Sequence, residues 1–542
     1  MKSKAIKKQS ISEGATVLLL ATVIVKLIGA LFKLPLSSDK ILGDLGFGYF
    51  SSAYDLFTPV YTLAISGIPV AVSKIIADFT AQKKTDNVKK VFKSALGIFF
   101  ILGTVLAALM LILSFPFVKL TDPSGKSIYS MLAVAPSFIL CFTASVLRGY
   151  FEGLHNMSIA AVSNVIEALG KLALGLIFAV LTLKFTQSTA LAAAAAMVGI
   201  TVGTLLSLIY LLILYKRTAS SPKTAKTESA LKDKEIVKLI FLISLPVVFA
   251  SMSNSIISLI DAVTVRWQLS SMDLSGIYSD IVTDQKLLPT YLYGIKAKAY
   301  TVYNLIPTVT VAIGISAIPA ITESYTLKDR ISLSDSCNSS LKLSAVITLP
   351  AAVGFTVLSK NIMALLFGEG PSAIIGGNML FIYGIAVAFA GISIPLCCIL
   401  QGLNRQREAF FIVLFGIGLK VALNIVLCII PTLNIYGAVI STLVCNAVIF
   451  ILHITVLFKV MKPDLKNTIL KPFISAVFCG ITAYLFTFFG NSKPLIILSI
   501  TAGAIIYLLS IVNLSVFSEK EIQNLPAGKF LFQLFNKLKI VK

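Results

Sequence analysis

Long apolar runs separated by short polar segments make up most of the chain. Windows of about 20 apolar residues, each long enough to cross a bilayer as a helix, recur about fourteen times. The pattern predicts an all-α polytopic membrane protein with about fourteen transmembrane helices. The predicted spans are residues 14–36, 46–66, 92–115, 128–147, 158–183, 189–215, 238–261, 298–317, 341–358, 374–400, 408–430, 435–458, 468–489 and 494–516.

Internal repetition divides these runs into two halves. The segment ISGIP at residues 65–69 recurs as ISAIP at residues 315–319, about 250 positions later, and Lys171 corresponds to Lys420. Each half then holds six helices, so both halves have the same orientation and a binding site is expected between them. The Ile-Pro pair in each copy is expected to break its helix, because proline lacks the backbone N–H.

The apolar runs outside the repeat form a C-terminal helix pair. After it, apolar positions at helical spacing opposite lysines predict a helix on the membrane surface. The resulting division of the chain is a basic cytoplasmic N-terminus, a first six-helix lobe, a Lys-rich cytoplasmic linker, a second six-helix lobe, transmembrane helices 13 and 14, and an amphipathic cytoplasmic tail. In the same order, these are residues 1–13, 14–218, 219–237, 238–460, 461–518 and 519–542.

Composition supports a membrane protein and explains the charge. The chain is 57% hydrophobic and 13% charged, with a formal net charge of +22. Its lysines gather in alternate polar segments, as the positive-inside rule requires of cytoplasmic loops. The sequence therefore predicts a multi-pass protein of the bacterial cell membrane with both termini in the cytoplasm, and no nucleic-acid partner.

No chemical motif predicts an enzyme. The seven cysteines show no metal-ligand spacing, the chain has only two histidines, and no phosphate loop, paired-carboxylate or nucleophile motif stands out. We therefore expect a membrane transporter with no catalytic residues, no metal site and no cofactor.

Two lysines inside the first apolar run are the strongest candidates for function. Lys26 and Lys33 lie seven residues apart, so they share one stripe of the helix, about 10 Å from each other. A cation costs about 2.5–3.5 kcal/mol at the centre of a membrane helix, so such lysines are expected to face water or a counter-charge. Snorkelling to the headgroups is the alternative for Lys33. Ammonium groups in a cavity suit phosphate or pyrophosphate.

Other charges in or beside the membrane runs complete the candidate set. Glu167 and Lys171 stand four residues apart, which also allows a local ion pair. We expect substrate binding by the cations Lys26, Lys33, Arg266, Lys296 and Lys298. We expect charge pairing or ion coupling from Asp55, Glu167, Lys171, Asp261 and Lys420. Polar residues that could select the head group include Tyr54 and Tyr61.

One motif resembles a known family. Residues 147–153, LRGYFEG, followed by Met157, Ser163 and Glu167, are similar to the stage V sporulation protein B branch of the polysaccharide flippases. The motif residues are Arg148, Gly149, Tyr150, Phe151 and Gly153. In the first helix, Lys26 and Lys33 stand where these proteins and the related lipid II flippases have arginines. The lipid II flippases are also expected to carry a basic residue inside the eighth helix, and Lys296 and Lys298 are the nearest candidates for it in this sequence.

The resemblance implies the multidrug/oligosaccharidyl-lipid/polysaccharide exporter fold, with alternating access and a cationic central cavity. It also implies that the C-terminal helix pair shapes a groove for a polyprenyl tail. The expected function is the translocation of an undecaprenyl-pyrophosphate-linked saccharide, with a proton or sodium ion as a coupling cation. The alternatives are an ion-coupled small-molecule or drug exporter with an acidic site at Asp55 and Glu167, and a non-transporting scaffold for envelope-synthesis enzymes.

Overall fold

A computed structural model describes residues 11–82, 84–218, 233–490 and 492–517 of the protein. Within these ranges the regular structure is entirely helical. The predicted N-terminus and linker lie mostly outside the described residues, and the predicted amphipathic tail lies wholly outside them.

Two compact units divide the chain, Met1–Ala297 and Lys298–Lys542. The helices up to the boundary are α1 (Ile11–Leu36), α2 (Gly43–Ala81), α3 (Thr85–Thr121), α4 (Ile128–Val134), α5 (Pro136–Gly153), α6 (Met157–Thr186), α7 (Thr189–Thr218), α8 (Asp233–Ser271), α9 (Ser275–Tyr278) and α10 (Leu288–Tyr303). The later helices are α11 (Leu305–Thr326), α12 (Arg330–Val357), α13 (Ser359–Phe367), α14 (Pro371–Gly402), α15 (Gln406–Cys428), α16 (Tyr436–Phe458), a π-helical turn (Lys466–Leu470), α17 (Lys471–Thr487) and α18 (Lys493–Asn513).

The membrane spans follow the apolar pattern of the sequence. Among the described residues, 12 helices are long and apolar enough to cross a membrane. The long helices α1 and α8 are present in addition, and each of the predicted spans coincides with a helix or a helix pair. The predicted all-α polytopic architecture is therefore confirmed.

The first unit is built around α2. This 39-residue helix packs against α3, α5, α7 and α8. Helices α6 and α7 pack closely through glycines, because a Cβ at Gly199 would lie 2.3 Å from the backbone of Gly175 and one at Gly170 would lie 2.8 Å from the backbone of Gly203. Small residues at such crossings let membrane helices gain van der Waals contact where lipid gives no hydrophobic drive.

The prediction that the Ile-Pro pairs break their helices is wrong. Helix α2 continues through Pro69 to Ala81, and α11 continues through Pro319 to Thr326. Close packing of α5 against α2 supports the continuous helix at Pro69, since a Cβ at Gly149 of α5 would lie 2.9 Å from the carbonyl oxygen of Pro69. Neighbouring helices are a known means of accommodating proline in a membrane helix.

The division into two six-helix lobes stays a prediction from the repeat, whereas the compact units follow from contacts between residues. Helix α8, which opens the predicted second lobe, packs against α2 and α3 of the first unit. The boundary between the compact units lies between Ala297 and Lys298, within α10.

The second unit has its core among α12, α14, α16 and α17. The predicted C-terminal helix pair is part of this core. Helix α17 packs against α12, and the hydroxyl of Tyr507 in α18 donates a hydrogen bond to the carbonyl oxygen of Val346 at 2.7 Å.

Candidate functional site

The two lysines of α1 lie on the side of the helix away from its exposed apolar row. That row includes Leu20, Leu27 and Leu31, which are about half exposed. From the helical spacing, Lys26 lies roughly 120° and Lys33 roughly 140° away from it around the helix axis. Both lysines are partly buried.

Lys33 lies over an aromatic ring of α2. Its Nζ is 4.0 Å from the centroid of the Tyr54 ring. A cation over the face of tyrosine is attracted by the ring electrons, and more strongly where water is scarce. The side chain is therefore directed toward α2.

Asp55, the next residue of α2, faces α10. Its Oδ2 accepts a hydrogen bond of 2.6 Å from the hydroxyl of Tyr293, a residue that is 1% exposed. The charges of Lys33, Lys296 and Asp261 also act on Asp55. Residues of α1, α2, α8 and α10 thus converge at one place in the first unit.

Lys296 and Asp261 form the third part of this convergence. The Lys296 Nζ donates to Asp261 Oδ2 at 2.5 Å, and both side chains are buried. The same ammonium lies 5.0 Å from the centroid of the Tyr293 ring. We call this group the central cluster, which consists of Lys33, Tyr54, Asp55, Asp261, Tyr293 and Lys296.

Arg266 takes part in a buried network beside the central cluster, since its Cζ lies 5.5 Å from the centroid of the Tyr293 ring. Its Nη2 donates to Ser127 Oγ at 3.1 Å and to Thr290 Oγ1 at 3.2 Å. Its Nε and Nη1 are buried and have no hydrogen-bond partner among the described residues. The hydroxyls of Ser127 and Thr290 in turn donate to Asp122 at 2.6 and 3.0 Å. The network therefore joins Arg266 to the turn that follows α3.

Asp122 is the acidic member of this network and lies outside the membrane spans. Burial raises the pKa of its carboxyl group, but the charge of Arg266 and hydrogen bonds from Ser127 and Ser124 outweigh burial, so that its pKa lies below the ordinary value. A carboxylate with a lowered pKa stabilises the folded protein at neutral pH.

A third group of charges is centred on Glu167 in α6. Its Oε2 accepts from Arg148 Nη2 at 2.5 Å, and its Oε1 accepts from Lys171 Nζ at 2.6 Å. The Tyr61 hydroxyl and the Thr204 hydroxyl donate to the same Oε1 at 2.8 and 3.2 Å. The local ion pair expected from the spacing of Glu167 and Lys171 is present.

Arg148 is held in place from three sides. Besides Glu167, it donates from Nε to Ser163 Oγ and from Nη2 to Ser207 Oγ, both at 2.8 Å. Its Nη1 is buried and has no hydrogen-bond partner in the part of the chain that the structure describes. We call this group the Arg148 cluster, which consists of Tyr61, Arg148, Ser163, Glu167, Lys171, Thr204 and Ser207.

The remaining residues of the LRGYFEG motif at residues 147–153 have packing roles. A Cβ at Gly153 would lie 2.7 Å from Ile76, and one at Gly149 would lie 2.8 Å from Val72. These glycines let α5 cross α2 at short range. Phe151 is fully buried, and the Tyr150 ring packs at 4.7 Å from that of Phe92.

The second unit holds two of the predicted cations. Lys298 Nζ donates to Ser372 Oγ at 3.1 Å and lies 5.4 Å from the Phe367 ring. Lys420 Nζ donates to Thr442 Oγ1 at 2.7 Å and also contacts Ser441. Each ammonium therefore has hydroxyl oxygens of its own unit around it.

The charged groups of the central cluster contact one another and the tyrosines beside them. The described residues hold no group of three or more His, Cys, Asp or Glu side chains that could bind a metal ion. In the central cluster, Asp55 and Asp261 are both engaged by hydrogen bonds, and Lys33 contacts a tyrosine ring.

Several partners in these clusters are not evident in the sequence. Tyr293 lies 238 positions from Asp55, and Arg148 is 19 positions from Glu167 in a different helix. The network of Asp122 has a local signal in the short segment from Asp122 to Ser127, because aspartate followed two residues later by serine is typical of a side-chain-capped turn.

Comparison with known proteins agrees with this architecture. The model of the family "Polysaccharide biosynthesis protein" matches residues 11–325, and that of the MatE family matches residues 295–426. Stage V sporulation protein B of Bacillus subtilis (strain 168) is 24% identical over 527 residues, which cover 96% of this chain and 98% of that protein.

Two further similarities concern lipid II flippases. The lipid II flippase MurJ of Bacillus subtilis (strain 168) is 25% identical over 488 residues, which cover 86% of each chain. A solved structure of a lipid II flippase MurJ in an inward closed conformation aligns with a TM-score of 0.67 and 16% identity, covering 91% of this chain and 97% of that one. The chain belongs to the polysaccharide biosynthesis protein family, in the branch of the multidrug/oligosaccharidyl-lipid/polysaccharide exporter superfamily that includes these flippases.

Proposed function

We propose that the protein is a flippase for an undecaprenyl-pyrophosphate-linked saccharide. Its cargo would be a precursor of peptidoglycan, spore cortex or another envelope polymer, moved from the inner to the outer leaflet of the bacterial cell membrane by alternating access. In this proposal both termini are cytoplasmic, and the protein is a transporter rather than an enzyme.

The observation that carries this proposal is the central cluster. Lys33 lies over the Tyr54 ring within a membrane unit, where an ammonium without an anion or water is costly, while Lys296 beside it is paired with Asp261. An ammonium is a compact point charge that suits phosphate oxygens. Pyrophosphate is the anionic part of such a lipid, so the central cluster is the proposed binding site, with Lys26 on the same stripe of α1.

The carboxylates support an anionic rather than a cationic cargo. Asp55 accepts a hydrogen bond from Tyr293, and Glu167 is paired with both Arg148 and Lys171. A site for a cationic drug needs an available carboxylate, whereas both of these acidic groups are already engaged. Coupling to a proton, a sodium ion or the membrane potential would supply the driving force, since one charge moved across 100 mV corresponds to about 2.3 kcal/mol.

A flipping assay in vesicles tests the proposal. The purified full chain is reconstituted into liposomes that contain a fluorescent polyprenyl-pyrophosphate-linked saccharide, and appearance of the saccharide in the outer leaflet is followed by an impermeant reagent. We expect transport by the wild type, its loss in Lys33→Gln, and full transport in Lys119→Gln. Lys119 is the matched control because it is an exposed lysine in the last turn of α3.

Two results would contradict the proposal. Lipid flipping that is equal in wild type, Lys33→Gln and protein-free vesicles would exclude the flippase function. A non-transporting scaffold for envelope-synthesis enzymes would then be the favoured alternative. Transport of a cationic dye that the lipid-linked saccharide does not inhibit would instead favour the small-molecule exporter, the function that the MatE match at residues 295–426 makes the second candidate.

A further inference from the structure

A row of neighbouring aromatic rings runs along one face of α2. Neighbouring ring centroids are 5.0–6.2 Å apart, and the row consists of Phe47, Phe50, Tyr54, Phe57 and Tyr61. Tyr54 and Tyr61 are seven residues apart, so they lie on the same face, separated by about 10 Å along the axis.

Two lysines from different helices lie on this row in the same way. Lys33 of α1 is 4.0 Å from the Tyr54 ring centroid, and Lys171 of α6 is 4.0 Å from that of Tyr61. The face of α2 therefore carries two ammonium groups separated by about two helical turns. The first belongs to the central cluster, and the second belongs to the Arg148 cluster.

The Arg148 cluster contains more positive than negative charge. Arg148 and Lys171 are both within 2.6 Å of the single carboxylate of Glu167. Lys171 is 17% exposed, whereas Arg148 and Glu167 are 2% and 1% exposed. Lys171 is therefore the most exposed charge of this cluster.

Glu167 does not depend on Lys171 alone for compensation. A buried carboxylate left without a partner is strongly destabilising. Here Arg148 remains paired with Glu167 and is itself fixed by two serines, while the hydroxyls of Tyr61 and Thr204 also donate to the carboxylate. Lys171 can consequently turn toward an external anion while Glu167 keeps its other donors.

We infer that Lys171 is a second anion-binding residue, which contacts a carboxylate on the saccharide while the pyrophosphate occupies the central cluster at Lys33. This inference rests on the proposed function and narrows its substrate class. The cargo is a lipid-linked saccharide with an acidic group near its phosphate-linked end, placed so that the two anions match two ammonium groups about 10 Å apart along α2.

Binding of three matched lipids to the full chain in nanodiscs tests this inference. The probes are a polyprenyl pyrophosphate without sugar, the same lipid with a neutral amino sugar, and the same lipid with that sugar carrying a carboxylate. We expect Lys171→Gln to weaken binding of the acidic probe about tenfold, or ~1.4 kcal/mol, with the other two changed less than about twofold. Lys171→Arg should restore most of the affinity, and Lys33→Gln should weaken binding of all three.

A control variant and several distinct outcomes complete this test. Lys184→Gln makes the same change at an exposed lysine of α6 and should alter no affinity. Equal effects of Lys171→Gln on all three probes, or no effect on any, would overturn the inference. Binding of the probes by the wild type would in that case still support the proposed function. If wild type binds none of the probes, the proposed function fails. If Lys171→Gln does not fold, equal affinity of wild type for the neutral and acidic probes overturns the inference.

Discussion

Removing charges from the Arg148 cluster one at a time should destabilise the protein unequally. Breaking a buried ion pair by removing one partner costs about 3–5 kcal/mol. Glu167→Gln leaves both Arg148 and Lys171 without their shared carboxylate, so we expect the upper end, about 5 kcal/mol. Arg148→Gln leaves Glu167 with Lys171 and two hydroxyl donors, so we expect about 3 kcal/mol.

The third variant completes the order. Lys171→Gln removes the most exposed charge and leaves Arg148 on the carboxylate, so we expect about 1.5 kcal/mol, typical of a hydrogen bond to a charged group. The double variant of Arg148 and Glu167 should be destabilised by roughly 2 kcal/mol less than the sum of the single variants, because residues in one network are coupled.

Unfolding by SDS in mixed micelles, followed by circular dichroism, measures these differences. Arg405→Gln is the control, because its ion pair with Glu408 has the same 2.6 Å length but side chains that are 36% and 43% exposed. Such a pair contributes less than about 1 kcal/mol. Equal effects of Glu167→Gln and Lys171→Gln, or additive effects in the double variant, would refute the conclusion that Glu167 pairs with both Arg148 and Lys171.

Three other outcomes are expected. Gly149→Ala should destabilise the protein in the same unfolding assay, because its Cβ would lie 2.9 Å from a backbone oxygen. At Gly97 an added Cβ would meet no atom of the described residues within 4 Å, so Gly97→Ala should be neutral or stabilising; equal behaviour of the two variants would refute the close crossing of α5 and α2. Because the pKa of Asp122 is lowered, its stabilising effect should be complete above about pH 4 and lost as the pH falls through its folded-state pKa. Asp122→Asn should therefore lower Tm at pH 7 and reduce the change of Tm with pH in acid. An unchanged pH dependence of Tm would contradict this. Tyr293→Phe removes the 2.6 Å hydrogen bond to Asp55 and should weaken polyprenyl-pyrophosphate binding without loss of folding; unchanged affinity would remove Tyr293 from the site.

The membrane architecture was predictable because it depends on local composition. Each apolar window of about 20 residues became a helix, since a segment in lipid must satisfy its backbone hydrogen bonds internally. The fate of Pro69 was not predictable in this way. Whether a proline ends a helix depends on what packs beside it, and the packing partner, Gly149, is distant in sequence.

The candidate site was predictable in its charges but not in its partners. Lys33 and Asp55 stand out as ionisable residues in apolar runs. Their contacts, the Tyr54 ring for the lysine and the Tyr293 hydroxyl for the aspartate, depend on helix rotation and on how α10 packs. The pairing of Glu167 with Lys171 was accessible because four residues bring side chains together on one helix, whereas its pairing with Arg148 requires the crossing of two helices.

Native mass spectrometry of the protein purified from bacterial membranes tests the binding of a pyrophosphate lipid most directly. We predict that the wild type carries a polyprenyl-pyrophosphate lipid, that the same lipid is absent from a Lys33→Gln, Lys296→Gln double variant, and that Lys119→Gln retains it. A wild type that carries only bulk phospholipid, even after addition of excess polyprenyl-pyrophosphate-linked saccharide, would contradict it.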